Sequence, residues 1–296
     1  MHTERANAKI NAYLNILSRR PNGYHDIVSV MQTVSLCDLV SVDFIPKPQS
    51  HITLSISGNA ELPTDHNNLA TRAAERFLQC TNLTGDVQIS IQKHIPVCAG
   101  LGGGSADAAA VLRALNSLCG NPFTVDELCE IGFSLGADVP FCIRGGTMLA
   151  TGVGEVLERA PEMPDCALVI AMGDVGISTP AAYAALDEKY GFFATPNTKK
   201  GSEGELLSFW QKGDLAASAT CFYNIFEEAV PKENTDVERI HRIMKEKGSM
   251  ASLMSGSGPS VFGVFDDLEQ AEKASDALQK EGFRAFVCQP KRQYAE

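Results

Sequence analysis

Apolar and polar positions alternate with a period of two over 38–45 (DLVSVDFI), 51–57 (HITLSIS) and 86–92 (DVQISIQ), the pattern of strands with one buried face. The turn-rich PKPQS separates the first two. Between the second and third the period changes. Over 65–80 (DHNNLATRAAERFLQC), Leu69, Ala73, Phe77 and Cys80 share one side of a helix, with Asp65 or Asn67 as its cap. A turn with Pro96 follows, then a glycine cluster and the helical run SADAAAVLRALNSLCG, closed by Gly120. The second half predicts a buried strand at 166–172 (CALVIAM) and helices at 180–188 and 236–247. It then predicts strand 261–265 (VFGVF), helix 268–281 and strand 283–288 (FRAFVC), with a surface loop at the polar stretch 194–205. Near the N-terminus, Ile10, Tyr13 and Leu14 make AKINAYLNI a packed segment. Strands and helices interleave, but the first half is strand-heavy with hairpin-like turns. The expected class is α+β, in mixed lobes, and not a regular parallel α/β sheet.

Length turns this pattern into an expectation of two domains, since 296 residues allow ~150 each. The boundary is expected near 150–160, giving 1–155 and 156–296, with a last strand near 283–290 free to return to the first unit. A hydrophobic fraction of 44% and a charged fraction of 21% exclude disorder as the main state. The net charge of -11, with no Lys/Arg cluster, excludes a purely electrostatic nucleic-acid binder but leaves room for a local anion pocket. No run approaches the ~20 apolar residues of a membrane helix. The N-terminus lacks an apolar export segment, so the expected location is cytoplasmic, with neither membrane nor nucleic acid as partner. Nine cysteines (37, 80, 98, 119, 129, 142, 166, 221, 288) contain no C-x-x-C pair and read as reduced thiols. No heptad marks a partner helix, and a monomer or weak dimer is expected.

The segment Pro96-Val97-Cys98-Ala99-Gly100-Leu101-Gly102-Gly103-Gly104-Ser105-Ala106-Asp107 carries the strongest chemical signal. It lies between a predicted strand and a predicted helix. Glycines let a ligand approach the backbone, and the helix supplies free N–H groups and a positive dipole end. Together these make a polyphosphate site, against the alternative of a flexible connector. No Lys follows the glycines as a Walker A loop requires, and the Rossmann G-x-G-x-x-G fails from Gly100 and from Gly102. Three further segments carry two readings each. Residues 255–260 (SGSGPS) form either a tight turn before a strand or a second loop against a ligand. Asp138, just before Pro140, is either a structural cap or a base near the phosphate loop. Residues 22–27 (NGYHDI) are either an exposed turn or a corner whose aromatic and imidazole groups stack on a base. Lys9, alone in an apolar run, would ordinarily extend to solvent.

Taken together, PVCAGLGGGSA (96–106), SGSGPSVFGVF (255–265), AKINAYLNI, RRPNGYHDI and GADVPFCIRGG resemble the GHMP kinase superfamily, over residues 8 to about 265. The GYHDI and GADVPF segments are similar to the branch whose substrate is a cytidine-diphosphate-linked methylerythritol, an intermediate of isoprenoid synthesis. The resemblance implies a small-molecule kinase. It also implies a two-lobed fold, with an ATP lobe like domain 2 of ribosomal protein S5 and a ferredoxin-like substrate lobe. It implies ATP and Mg²⁺ as cofactors, with residues 96–106 on the nucleotide and Lys9 and Asp138 as the catalytic pair. Asn11, Tyr24, His25, Thr179 and Tyr183 match the substrate pocket, and an adenine wall falls near 53–68 and 93–97. Ser105 is the protein oxygen expected on Mg²⁺, as hydroxyls in phosphate loops often are. Many members have a hydroxyl residue at Ala106 and an aromatic at Met31, so cytosine packing here leans on Tyr24 and Tyr183. Two rivals stay open: a GHMP kinase for homoserine or a sugar, and a nucleotide or metabolite sensor on the same fold. A Tyr-His corner argues against the first, and the Lys9–Asp138 pair against the second.

Overall fold

The computed structural model of the chain describes residues 1–59, 61–174, 178–191, 201–228 and 235–294. Part of the polar stretch at 194–205 lies outside them. Two sheets organise the rest. The larger begins with two long antiparallel strands, β1 (His2–Arg19) and β2 (His25–Pro46), joined by the turn around Gly23. β3 (His51–Ser57) and β4 (Gly85–Gln92) extend it beside β2 in the order β3-β4-β2-β1. β5 (Thr147–Thr151) pairs with the far half of β2, and β6 (Val156–Arg159) with β5.

β1 carries no clean alternation because Ala6 to Ile16 are buried on both faces. Its period of two still sorts them. Ala8, Ile10 and Ala12 enter one apolar core, while Lys9 and Asn11 face the other way into a cleft. Register shifts between Asn7 and Lys9 and between Asn11 and Tyr13 bend the strand on both sides of these two residues.

Helices α1 (Leu69–Thr81), α2 (Gly103–Leu118), α3 (Val125–Phe133) and α4 (Val139–Arg144) cover this sheet. Their core gathers Phe77, Leu112, Leu115 and Phe141 against Val87, Ile89 and Ile91 of β4. The cap of α1 is neither of the two expected residues. Asn68 accepts from Ala70 N at 2.9 Å, because Asp65 is spent closing its own turn onto Asn67 N.

The second sheet contains β7 (Ala167–Met172), β9 (Ala251–Met254), β10 (Val261–Phe265) and β11 (Arg284–Cys288), in the antiparallel order β11-β7-β10-β9. Counted within the lobe this is 4-1-3-2, the ferredoxin-like order. α8 (Asp236–Glu246) and α9 (Leu268–Lys280) pack on it, with Ile240, Met244, Ala274 and Leu278 turned inward. α5 (Thr179–Tyr190), α6 (Glu203–Gln211) and α7 (Leu215–Ser218) precede the short strand β8 (Tyr223–Asn224).

The two sheets are not divided at one point of the chain. β6, just past residue 155, still belongs to the first sheet, and β8 from the second half pairs parallel with β1. β11 stays in the second sheet, and the segment after it is what returns. Pro290 bridges Val34, and Gln293 bridges Gly145. Strand β1 therefore contributes to both cores, and the cleft opens between the sheets beside it.

Candidate active site

A cleft of about 980 Å³ opens beside β1. It is lined by Lys9, Asn11, Tyr24, His25, Pro96 to Ser105, Asp138, Thr179 and Tyr183. Ala106 is the exception among the expected contacts. Its side chain is 2% exposed in the first core, and its N–H donates to Gly102 O at 2.9 Å, so neither can reach a ligand. Helical geometry spends the fourth N–H and leaves the first three free.

Those three belong to Gly103, Gly104 and Ser105, at the start of a 16-residue helix with no side-chain cap. A ring of backbone donors and a positive dipole end thus face the cleft, the requirement of an anion site. Gly102 sits in the left-handed region at φ 68° to turn the chain into the helix. Gly100, at φ 75°, lies where a Cβ would collide with the carbonyl oxygen of Ser255. The 255–260 segment is accordingly packed on the loop: Ser255 Oγ donates to Gly100 O at 3.0 Å, and Ser260 N to Ala99 O at 3.3 Å. It is a tight turn and also part of the wall, since Gly256 and Ser257 line the cleft.

Lys9 is 5% exposed and does not extend to solvent. Its Nζ donates to Asn11 Oδ1 at 2.7 Å and lies 3.7 Å from Asp138 Oδ2. Asn11 is fixed in turn by donating to Ser29 Oγ at 2.8 Å. Asp138 occupies the cap position of α4, yet its carboxylate makes no capping bond, and its side chain is 39% exposed. Its backbone carbonyl does the helical work, accepting from Cys142 N at 3.1 Å. The carboxylate is thus left facing the cleft, with the Lys9 ammonium beside it.

At the far end, the His25 ring stacks on Tyr183 with centroids 4.7 Å apart, and Phe226 meets Tyr183 edge-on at 4.9 Å. Burial, with the Asp138 charge nearby, pushes the Tyr183 hydroxyl up to about 12. Tyr24 stands 63% exposed at the rim. Thr179 Oγ1 shares a hydrogen bond of 2.8 Å with Ser257 Oγ. Met31 pairs with Asn11 across the two long strands but is buried in the first core and does not line the cleft. Of the stretches expected around adenine, Leu62, Pro63, Asn67, Asn68 and Lys93, Pro96 and Val97 line the cleft, and nothing at 53–61 does so among the described residues.

Asp187 and the carboxylate clamp around Lys93 escaped sequence reasoning. Asp187 accepts from or shares a proton with His25 Nε2 at 2.8 Å, and its other oxygen lies 3.4 Å from Arg19 Nη1. A signal existed: Thr179, Tyr183 and Asp187 recur every four residues, one face of α5. Lys93 is held between Asp38 Oδ2 at 2.5 Å and Asp107 Oδ2 at 2.7 Å. Asp38 also accepts the N–H groups of His94 and Ile95, tying the start of the glycine-rich loop to β2. Burial pushes the Asp107 carboxyl up to about 7, with Asp38 adding to the rise against the pull of Lys93. No spacing relates residues 38, 93 and 107; only the fold joins them.

Comparison with known proteins agrees with this geometry. Residues 68–146 match the GHMP kinases N terminal domain and residues 208–284 the GHMP kinases C terminal domain. The chain is 41% identical over 275 residues to a 4-diphosphocytidyl-2-C-methyl-D-erythritol kinase from Synechococcus sp. (strain JA-3-3Ab), covering 92% of this chain and 88% of the relative. A crystal structure of 4-(cytidine 5'-diphospho)-2C-methyl-D-erythritol kinase superposes with a TM-score of 0.81 at 31% identity, covering 98% of this chain and 99% of that one. A homoserine kinase from Cytophaga hutchinsonii shares the fold, at a TM-score of 0.69 and 20% identity over 96% of this chain and 95% of its own. The free helix terminus, the Lys9–Asp138 pair and these matches agree: the chain belongs to the GHMP kinases, in the family of 4-diphosphocytidyl-2-C-methyl-D-erythritol kinases.

Proposed function

We infer that the chain transfers the γ-phosphoryl group of ATP to the 2-hydroxyl of 4-diphosphocytidyl-2-C-methyl-D-erythritol, a step in isoprenoid synthesis. The observation that carries this is the Asp138 carboxylate, which caps nothing and lies 3.7 Å from Lys9 Nζ beside the free helix terminus. An alcohol becomes a competent nucleophile only as its proton leaves. Asp138 takes that proton, the alcohol oxygen attacks the γ-phosphorus, and ADP departs. Lys9, held by Asn11, offsets the negative charge that gathers around the transferring group. The N–H groups of Gly103, Gly104 and Ser105 hold phosphate oxygens, and Leu62, Pro63, Pro96 and Val97 supply the apolar wall for adenine. Tyr24, His25 and Tyr183 hold the nucleobase, and Asn11 and Thr179 lie along the path of the sugar phosphate chain.

The residues fit Mg²⁺ carried in with the nucleotide. Ser105 Oγ lines the cleft without a hydrogen bond to any described residue, and among those residues no three acidic, His or Cys side chains converge to cage a metal. Bound there, Mg²⁺ would neutralise charge on the β- and γ-phosphates.

The test is ADP release with Mg-ATP and the cytidyl substrate, run beside homoserine, mevalonate and galactose. Turnover is expected with the cytidyl substrate alone. Asp138→Asn should lower kcat by about 10²–10⁴ with the Kd for ATP unchanged. Near-normal kcat in that variant would remove the general base, and turnover with another alcohol would reassign the substrate lobe.

A further inference from the structure

His25 and Asp187 come from opposite sides of the cleft, the first from the start of β2 and the second from the last turns of α5. They meet at 2.8 Å through Nε2 and Oδ1. A carboxylate accepts hydrogen bonds and donates none, so in the neutral imidazole the proton must sit on Nε2. The other ring nitrogen is then a bare acceptor. Nδ1 has no hydrogen-bond partner among the described residues, is not among the sealed unpaired polar atoms, and belongs to a ring that lines the cleft. A half-turn of the ring would put Cε1 where Nε2 stands and lose the bond to Asp187, and Tyr183 stacks on the ring face at 4.7 Å.

We propose that Asp187 is a specificity-determining positioning residue, which fixes His25 as the tautomer that accepts at Nδ1 and so selects a pyrimidine presenting an amino donor. This rests on the assignment of His25 to the nucleobase. Cytosine offers an N–H at its 4-position, whereas uracil offers a carbonyl oxygen there, and two acceptors facing each other would be left unpaired.

Arg19 makes the idea testable by a conservative change. Its Nη1 lies 3.4 Å from Asp187 Oδ2 and requires an acceptor at that position. In Asp187→Asn the amide oxygen is therefore held toward Arg19 and the NH₂ toward His25. Nε2 must then accept, and the proton moves to Nδ1. The same side chain, in the same place, should present a donor to the base.

The experiment uses the full chain with Mg-ATP and either the cytidine-linked substrate or its uridine-linked analogue. In the unaltered chain, kcat/KM should favour cytidine by ~10-fold or more. In Asp187→Asn the ratio should collapse or invert, through KM for the nucleoside-linked substrate, while KM for ATP stays as the internal control. Nitrogen-15 NMR of the imidazoles, with His25 assigned by its loss in His25→Gln, reads the tautomer independently of turnover. The expected spectrum has the proton on Nε2 in the unaltered chain and on Nδ1 in the variant. A purely structural role for Asp187 would lower stability and leave the base ratio unchanged, and that result would overturn the proposal. So would a proton on Nδ1 in the unaltered chain, a measurement that needs no variant to fold. Absence of turnover with either nucleoside-linked substrate would instead fault the functional assignment, with the NMR result still deciding the tautomer.

Discussion

A single side chain here is defined by what its neighbours leave it free to do. Asp138 stands where an aspartate usually caps a helix, and sequence alone balanced that duty against catalysis. In the structure the backbone carbonyl serves the helix, and the carboxylate makes no capping bond and lies beside Lys9. Lys9 is the converse case: the rule that a lone lysine reaches solvent fails when the strand is buried on both faces. The glycines were legible as a group, but which one is indispensable was not. Gly100 has both a left-handed φ of 75° and the Ser255 carbonyl where its Cβ would be. Gly100→Ala should therefore cost at least ~1 kcal/mol from backbone conformation alone. It should also weaken ATP binding by displacing the loop. Urea unfolding and nucleotide titration measure the two effects, and a variant matching the unaltered chain in both would dismiss this account of the loop.

At the scale of elements, α2 does two things: it leaves its N-terminus uncapped at the cleft and anchors that terminus to the sheet. The anchor is Asp107, in the second turn, bonded to Lys93 and through it to Asp38. Its ordinary carboxyl value of 3.8 is pushed up to about 7, mainly by burial. The folded state therefore holds this proton more tightly than the unfolded chain does. That contribution to stability is complete below about pH 4 and is lost as the pH rises through about 7. Asp26 and Glu127, both lowered by their hydrogen bonds, push the other way, so the comparison must be with a variant. Urea midpoints should show the unaltered chain losing ground to Asp107→Asn between pH 4 and pH 8. A constant difference would remove the assignment. Elsewhere the legibility of elements followed local chemistry. Strands with one wet face, such as β4, announced themselves, whereas β1 did not. The capping box Thr124–Glu127 that starts α3 stands in the sequence as T-x-x-E, a signal of only two residues.

For the whole molecule, the question is what holds two sheets around one cleft. β1 enters both cores, and β8 returns from the second half to pair with it. The last described residues act as a strap. Lys291 N donates to Thr33 O, Gln32 Nε2 donates to Lys291 O, and Tyr294 OH donates to Asn7 Oδ1 at 3.1 Å. The Tyr294 ring lies under the Arg113 guanidinium at 4.3 Å. Losing the hydrogen bond and this cation–π contact in Tyr294→Ala should cost about 1–2 kcal/mol. It should also lower Tm, as calorimetry would show. An unchanged Tm would mean the strap holds nothing.

The sequence by itself determined the class of fold, most of the strands and helices outside β1, and the glycine-rich loop that runs into a helix. Each of these depends on neighbours in the chain: a period, a cap or a run of glycines. It also placed Lys9, Tyr24, His25 and Asp138 as candidates, through residue types in recognisable short motifs. The tertiary structure alone decided that the Asp138 carboxylate makes no capping bond and lies beside Lys9, that Lys93 is clamped between carboxylates at 38 and 107, and that Asp187 meets His25 across the cleft. These are meetings between residues 14 to 162 positions apart. Periodicity decides which way a side chain points on its own element, but only the packing of one element on another decides what it meets there.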